Sequence, residues 1–306
     1  MKIFVTGVNG QLGHDVVNEL VLRGIEAVGS DITESYSGLP DGTAVNTAPY
    51  VRLDLTDAAA VKETLEAVRP DALIHCAAWT AVDAAEDEEN REKVYAINVG
   101  GTRSLAEEAK ALDIPMLYIS TDYVFRGDGT EAYEADDTDF APSSVYGKTK
   151  LLGEEAVREL LRKYFIVRIA WVFGVNGKNF VRTMLRVGAS HPEVRVVNDQ
   201  IGTPTYTFDL AKLLADMIVT DRYGTYHATN EGGFISWYDF TKEIFRLAGL
   251  DTKVTPVTTE EYGLSKAARP KNSRLSKDKL EANGFRRLPV WQDALKRFLE
   301  AIGELK

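Results

Sequence analysis

Lys2-Ile3-Phe4-Val5-Thr6-Gly7-Val8-Asn9-Gly10-Gln11-Leu12-Gly13 decides the fold of this chain. Its first five residues form an apolar run long enough for one strand. After the glycines an amphipathic stretch runs from Gln11 to Arg23. Strand, glycine turn and helix in that order make the place where a dinucleotide pyrophosphate is held. One glycine turns the chain tightly, one lets backbone approach the phosphates, and one lets helix pack on strand. The helix start then offers free N–H groups and the positive end of its dipole. The spacing is G-x-x-G-x-x-G, and an ordinary βα turn shares it. Its position directly after a strand favours the dinucleotide, with Gly7, Asn9, Gly10, Gln11, Leu12 and Gly13 as cofactor candidates.

Outward from this stretch, strands and helices alternate. A second strand, Glu26 to Ser30, ends at Asp31. An acidic residue about twenty positions past the glycines is placed to hold a ribose 2′-hydroxyl, which favours NADH over NADPH. A solvated carboxylate at a strand end is the competing reading, and Ser30 and Thr33 offer hydroxyls to a 2′-phosphate. Residues 31–48 read as a loop rich in Ser, Gly, Thr and Pro. Val51 to Leu53 is a third strand, followed by Asp54 and Leu55 at an adenine-facing position. Thr56 or Asp57 caps the next helix, which runs to Val68. Ala72 to Cys76 is the fourth strand. Ala77, Ala78 and Thr80 follow it, where backbone can lie along a cofactor. The acidic run Glu86 to Glu89 reads as a solvated face. A long helix is expected over Arg91–Leu112, then a fifth strand over Pro115–Ile119, and a sixth over Phe165–Ile169.

Between the last two strands lie Ser120-Thr121-Asp122-Tyr123 and Tyr146-Gly147-Lys148-Thr149-Lys150. Tyr146 and Lys150 are four apart, hence on one face of a helix. An ammonium beside a phenol favours the phenolate, and a Tyr tuned in this way can exchange a proton with a substrate oxygen. Thr121 offers a hydroxyl to the same oxygen. Six alternations with crossovers of suitable length predict an α/β, doubly wound parallel sheet over residues 1–170. Gly7, Asp31, Asp54, Ala77, Thr121 and Trp171 all fall at carboxyl ends of its strands, where such sheets bind ligands. Past Trp171 the alternation loosens, and residues 171–306 are expected to form mainly a smaller, discontinuous substrate lobe, with some segments returning to the nucleotide domain.

The totals agree. The chain has 306 residues, 44% hydrophobic and 27% charged, with a net charge of −10. No basic block is present, which argues against nucleic acid and anionic membranes as partners. No apolar run has the length of a membrane span. The first strand begins at once, so no targeting segment is expected and the cytoplasm fits. A single cysteine, Cys76, excludes an internal disulfide and is expected in the core.

Taken together, these motifs resemble the extended short-chain dehydrogenase/reductases. Ala77-Ala78-Trp79-Thr80-Ala81-Val82-Asp83, Ser120-Thr121-Asp122-Tyr123-Val124-Phe125, Asn198-Asp199-Gln200-Ile201-Gly202-Thr203-Pro204-Thr205 and Arg269-Pro270 narrow the likeness to the dTDP-4-dehydrorhamnose reductase family, over essentially the whole chain. The resemblance implies hydride transfer from NADPH or NADH to the C4 ketone of a dTDP-6-deoxyhexulose. Thr121, Tyr146 and Lys150 would be catalytic, with Lys150 lowering the Tyr146 pKa and holding the nicotinamide ribose. Thr80, Val82, Tyr123, Trp171 and Arg269 would border the sugar nucleotide. Some members of that family bind Mg2+ at a dimer contact. No carboxylate set for it can be assigned here, since Asp15 alone is not a metal site, and a homodimer is left open. Residues 32–48 are longer than the connection expected of the family, which bears on cofactor preference. Two rival readings share the motifs: a nucleotide-sugar dehydratase or epimerase, and a non-catalytic NADP-binding subunit resembling the regulatory one of methionine adenosyltransferase. Thr121 is followed by Asp122 and Tyr123, so the second acid of a dehydratase is missing.

Overall fold

Side chains that alternate across the first strand build two cores at once. In the computed structural model, which describes residues 1–306, β1 (Lys2–Thr6) sends Ile3 and Val5 to one face and Phe4 to the other. The parallel strands that join it are β2 (Glu26–Asp31), β3 (Tyr50–Arg52), β4 (Ala72–His75), β5 (Met116–Thr121) and β6 (Tyr164–Ile169). Helices α1 (Gln11–Leu22), α2 (Ala58–Val68), α3 (Glu88–Tyr95), α4 (Thr102–Ala111) and α5 (Val145–Leu160) connect them.

The remainder of the chain is more broken. It holds β7 (Val172–Phe173), α6 (Phe180–Ser190), β8 (Glu193–Val197), β9 (Ile201–Gly202), β10 (Thr205–Tyr206), α7 (Thr207–Ile218) and β11 (Gly224–His227). After these come β12 (Ile235–Ser236), α8 (Trp237–Leu247), β13 (Lys253–Val257), α9 (Thr259–Tyr262), β14 (Asn272–Ser273), α10 (Asp278–Ala282) and α11 (Trp291–Ala301).

The main sheet runs β11-β6-β5-β4-β1-β2-β3 and is parallel throughout. Strand order reverses between β1 and β4, so a crevice opens at their carboxyl ends. One face is covered by Leu12, Val16 and Leu20 of α1 and by Leu210, Leu214 and Met217 of α7. The other is covered by Val61 and Leu65 of α2, Leu105 and Ala109 of α4, and Val157 of α5. A third cluster joins α6, α8 and α11 through Val181, Leu185, Phe240, Ile244, Leu295 and Phe298.

Residues 171–306 therefore contribute to two places. Helix α7 and β11 complete the nucleotide sheet, while the third cluster stands beside it. The long helix expected over 91–112 starts earlier, at Glu88, and one π-helical turn, Ala96–Gly101, interrupts it. Cys76 is partly buried and packs against the core.

Candidate active site

The glycine turn is shaped by close backbone approach. Gly7 has φ +74°, and a Cβ there would lie 2.6 Å from the Ala77 nitrogen. A Cβ on Gly13 would lie 2.3 Å from the Gly7 oxygen. The start of α1 has no side-chain cap, which leaves its first-turn N–H groups for an anion. This backbone cradle fits a dinucleotide pyrophosphate. The Leu12 side chain is buried in the core, so only its backbone can serve the cofactor. Asn9 lies at a crossing of contacts: its amide donates to Asp31 Oδ2 (3.0 Å), its Nδ2 to Thr33 Oγ1 (2.7 Å), and its Oδ1 accepts from the Ser37 amide (2.8 Å). Asn176 ties the turn to the second half of the chain by donating to the Asn9 and Gly10 oxygens (2.9 and 3.0 Å). Asn179 donates to Gln11 Oε1 at 3.0 Å.

Around the adenosine side, expectation and structure part in places. Asp31 is half-buried at the end of β2. Ser30 is 1% exposed, too deep to reach a phosphate. Leu55 is packed in the core beneath Gly101 and cannot present its side chain to an adenine. Asp54 is exposed and accepts from the Thr56 amide and hydroxyl (2.9 and 2.7 Å). Asp57 is the residue that caps α2, accepting from the Ala60 amide. Ala77 and Ala78 are half-buried beside Gly7, and Thr80 is exposed further along the same segment.

Thr121 ends β5, and α5 delivers Tyr146 and Lys150 beside it. Ser144 caps this helix by accepting from the Gly147 amide (3.1 Å). Glu86 accepts from the Val145 amide (2.8 Å), so part of the acidic run, expected to be solvated, anchors α5. A Cβ on Gly153 would lie 2.3 Å from the Tyr118 hydroxyl, so only glycine lets α5 approach β5 this closely. Lys150 is 3% exposed, with Nζ 4.0 Å from the centre of the Tyr118 ring. Tyr123 meets Tyr146 edge to face at 5.5 Å.

The electrostatics differ from the sequence expectation. Burial raises the Tyr146 phenol well above its ordinary value, and the Thr121 hydroxyl pulls it partly back. Burial also brings Lys150 down to about 7, although Glu154 and Cys76 oppose this. Desolvation outweighs the phenol–ammonium attraction when both groups are enclosed. The result is a Tyr that keeps its proton and a Lys poised to lose one near neutrality. Burial raises Asp122 to about 6, opposed by the Ser273 and Thr121 hydroxyls. Thr121 donates to Asp122 Oδ1 at 2.9 Å, so its hydroxyl must turn to hold a substrate oxygen.

Three features escaped the motif reading. Asn98 in the π-helical turn is 1% exposed. It accepts from the Trp79 amide (2.8 Å) and donates to Thr149 Oγ1 (3.0 Å), joining the Ala77–Thr80 segment to α5. Such turns recur at functional sites. Glu154, one turn past Lys150, is fully buried and accepts from Arg168 twice (2.9 and 2.8 Å), from Arg158 (2.6 Å) and from Ser120. An arginine inside the apolar run Phe165–Ile169 was the available signal, because a buried charge needs a partner. The third is a stack of Trp171 on Trp237, 3.7 Å between ring centres.

On the sugar side, Trp171 has φ +50° and rests against Gly202, where a Cβ would lie 3.0 Å from its ring. Arg269 donates to Asp83 Oδ2 (2.6 Å) and the Tyr123 hydroxyl (3.2 Å), which brings it to the Thr121 end of the cleft. Val82 is half-buried next to Asp83. No group of three or more His, Cys, Asp or Glu able to hold a metal is present.

A doubly wound sheet with a backbone phosphate cradle after β1, and Thr121, Tyr146 and Lys150 gathered at β5 two strands along, defines a nicotinamide-dependent oxidoreductase of the extended short-chain dehydrogenase/reductase class. Residues 1–303 match the family model described as RmlD substrate binding domain, and the chain belongs to that family, the dTDP-4-dehydrorhamnose reductases. A dTDP-4-dehydrorhamnose reductase of Streptomyces griseus is 39% identical, covering 97% of this chain and 93% of that protein. Among solved structures, a dTDP-4-dehydrorhamnose reductase from Clostridium acetobutylicum superposes with a TM-score of 0.89 at 41% identity, covering 99% of this chain and 100% of that one. Another from Bacillus anthracis, in complex with NADP, gives 0.87 at 40% identity, covering 98% and 99%. Neither the regulatory-subunit nor the epimerase reading is favoured by these likenesses. No helix is long and apolar enough to cross a membrane.

Proposed function

We propose that the protein reduces the C4 ketone of dTDP-4-dehydro-L-rhamnose to dTDP-L-rhamnose, with Tyr146 as the proton donor. The observation that carries this is the placement of Tyr146, protonated by burial, beside Thr121 at the carboxyl end of β5, on a chain matched by the family over 1–303. A reduced nicotinamide, when bound, supplies the hydride. Lys150 binds its ribose and carries the positive charge on which the developing alkoxide draws. Thr121, released from Asp122, donates to the ketone oxygen. Tyr146 passes its proton to that oxygen. Orientation in a water-poor cleft and charge stabilisation provide most of the acceleration. Thr80, Val82 and Tyr123 border the sugar, and Arg269 faces the nucleotide phosphates after its bond to Asp83 is exchanged.

Deuterium from NADH or NADPH labelled at the transferable C4 position should appear at the sugar C4 of a rhamno-configured product by NMR. Label elsewhere, or none, would refute the reaction.

Lys150 must be charged to act. Its folded value of about 7 means that the proton is present below that pH and lost above it. The kcat/KM profile, which reports the free enzyme, should therefore fall on its alkaline side with a midpoint near 7. A profile flat to pH 9 would contradict this.

Trp171 is held in a left-handed conformation costing about 1–2 kcal/mol for a non-glycine residue. We assign its indole face to the sugar. Trp171→Ala should raise KM for the sugar about tenfold, the loss of roughly 1.4 kcal/mol of contact, with far less change in cofactor Kd. An equal change in both would make Trp171 a packing residue.

A further inference from the structure

We infer that the ring face of Tyr118 holds the Lys150 side chain as an ammonium, standing where a counter-ion would otherwise be needed. This rests on the oxidoreductase reading above and adds what keeps Lys150 in its working form. Tyr118 is fully buried in β5 and acts only through Lys150, so it is a positioning residue.

Lys150 needs such a partner. It is 3% exposed, and a buried charge is costly unless a compensating group faces it. Yet Lys150 forms no ion pair. Glu154, one turn along its own helix, gives both oxygens to Arg168 of β6 and to Arg158 instead. Its charge, already met by two arginines, is weakened as a counter-ion. Cys76, just past β4, keeps its proton, because burial pushes its thiol up to about 12. Tyr146 is neutral as well, and Asp122, in the turn after β5, bears on that phenol.

What faces the nitrogen is an aromatic ring. Lys150 Nζ lies over Tyr118, 4.0 Å from the ring centre. The negative face of an aromatic attracts a cation at such a distance, and most strongly away from water. The ring is also fixed. Its hydroxyl donates to the Lys150 oxygen at 3.3 Å. Gly153 leaves the room for it, since a Cβ there would lie 2.3 Å from that hydroxyl. One side chain therefore grips α5 at Lys150 and lies under the ammonium.

His75 of β4 packs against the same ring at 5.6 Å. A charged imidazole there would repel the ammonium. Its bonds are complete without a second proton. Thr102 Oγ1 donates to the Asn98 oxygen (2.8 Å) and so accepts from His75 Nε2 (3.1 Å). Thr6 Oγ1 accepts from the Ala77 amide (3.3 Å) and gives its proton to His75 Nδ1 (2.8 Å). The pattern assigns a neutral ring. Burial, helped by Lys150, holds its pKa down at about 3.

The test changes the charge on the ring face while keeping its shape. Tyr118→Phe keeps the face, and further versions carry mono-, di- and trifluorophenylalanine at this position. Each fluorine draws charge off the face. Lys150 protonation is read from the NMR shift of its ε-carbon against pH, assigned by the signal lost in Lys150→Met. Tyr118→Phe should leave the midpoint unchanged, because both rings carry the same negative face. The midpoint should then fall with each fluorine, by about one pH unit at the trifluoro ring, a tenfold loss of ammonium over amine. Midpoints that coincide across the series overturn the inference, since a ring that only packs would not move them. The alkaline fall of kcat/KM should move in step. NMR midpoints that fall while kcat/KM stays put would support the inference and overturn the role given to Lys150 in the reaction.

Discussion

Tyr146→Phe is expected to lower kcat by about 10²–10⁴-fold, the range for losing one positioned proton donor, while leaving cofactor Kd almost unchanged. The phenylalanine keeps the edge-to-face contact with Tyr123 and the packing of α5, and removes only the hydroxyl. Other proton sources stand nearby, and the size of the effect separates them. Asp122, raised to about 6, carries its proton in only a minority of molecules at pH 7. Water has no fixed position from which to donate. If Asp122 or water were the donor, kcat in Tyr146→Phe would fall less than tenfold. Solvent-isotope effects on the two proteins give an independent reading, since a slow proton transfer from Tyr146 disappears with its hydroxyl.

Glu154→Ala should cost about 3–5 kcal/mol of folding stability, the usual result of stranding one member of a buried ion pair. Arg168 would lose both charge-assisted bonds and remain enclosed between Phe125 and Phe140, whose ring centres lie 4.9 Å from its guanidinium. Ser120 would lose its acceptor as well. Urea denaturation would show a lower midpoint with an unchanged slope, and a loss under about 1 kcal/mol would contradict the account. Replacing both partners, Glu154→Leu with Arg168→Met, should recover much of the loss because no charge is then left buried. Burial alone would raise the Glu154 carboxyl, yet Arg168 and Arg158 outweigh it and hold it below the usual carboxylate range. Its contribution is therefore present above the ordinary glutamate pKa and lost as pH falls below it.

The parts legible in the sequence are those written locally. The glycine turn, the apolar strands and the Tyr146–Lys150 spacing each lie within a few residues, so periodicity and turn chemistry expose them. Contacts that join distant segments were not legible. Gly224–Ala228 reads as a short strand from its sequence, but nothing local says that it pairs with β6 and extends the main sheet. The π-helical turn holding Asn98 has no local signature, because its geometry serves a bond to Trp79 nineteen positions away. Trp171 stacks on Trp237, and Arg269 reaches Asp83 across the cleft; both depend on how the later segments fold back. The net direction of the Tyr146 pKa was not legible for another reason. Spacing gives proximity on a helix face, whereas the pKa is set by how thoroughly both groups leave water.

The most direct measurement is absorbance at the reduced-nicotinamide band after mixing the protein, NADH or NADPH, and dTDP-4-dehydro-L-rhamnose. The account predicts absorbance loss that requires the sugar and collapses in Tyr146→Phe. No sugar-dependent loss with either dinucleotide, although the protein binds one of them, would contradict the assignment of this site as a 4-ketoreductase.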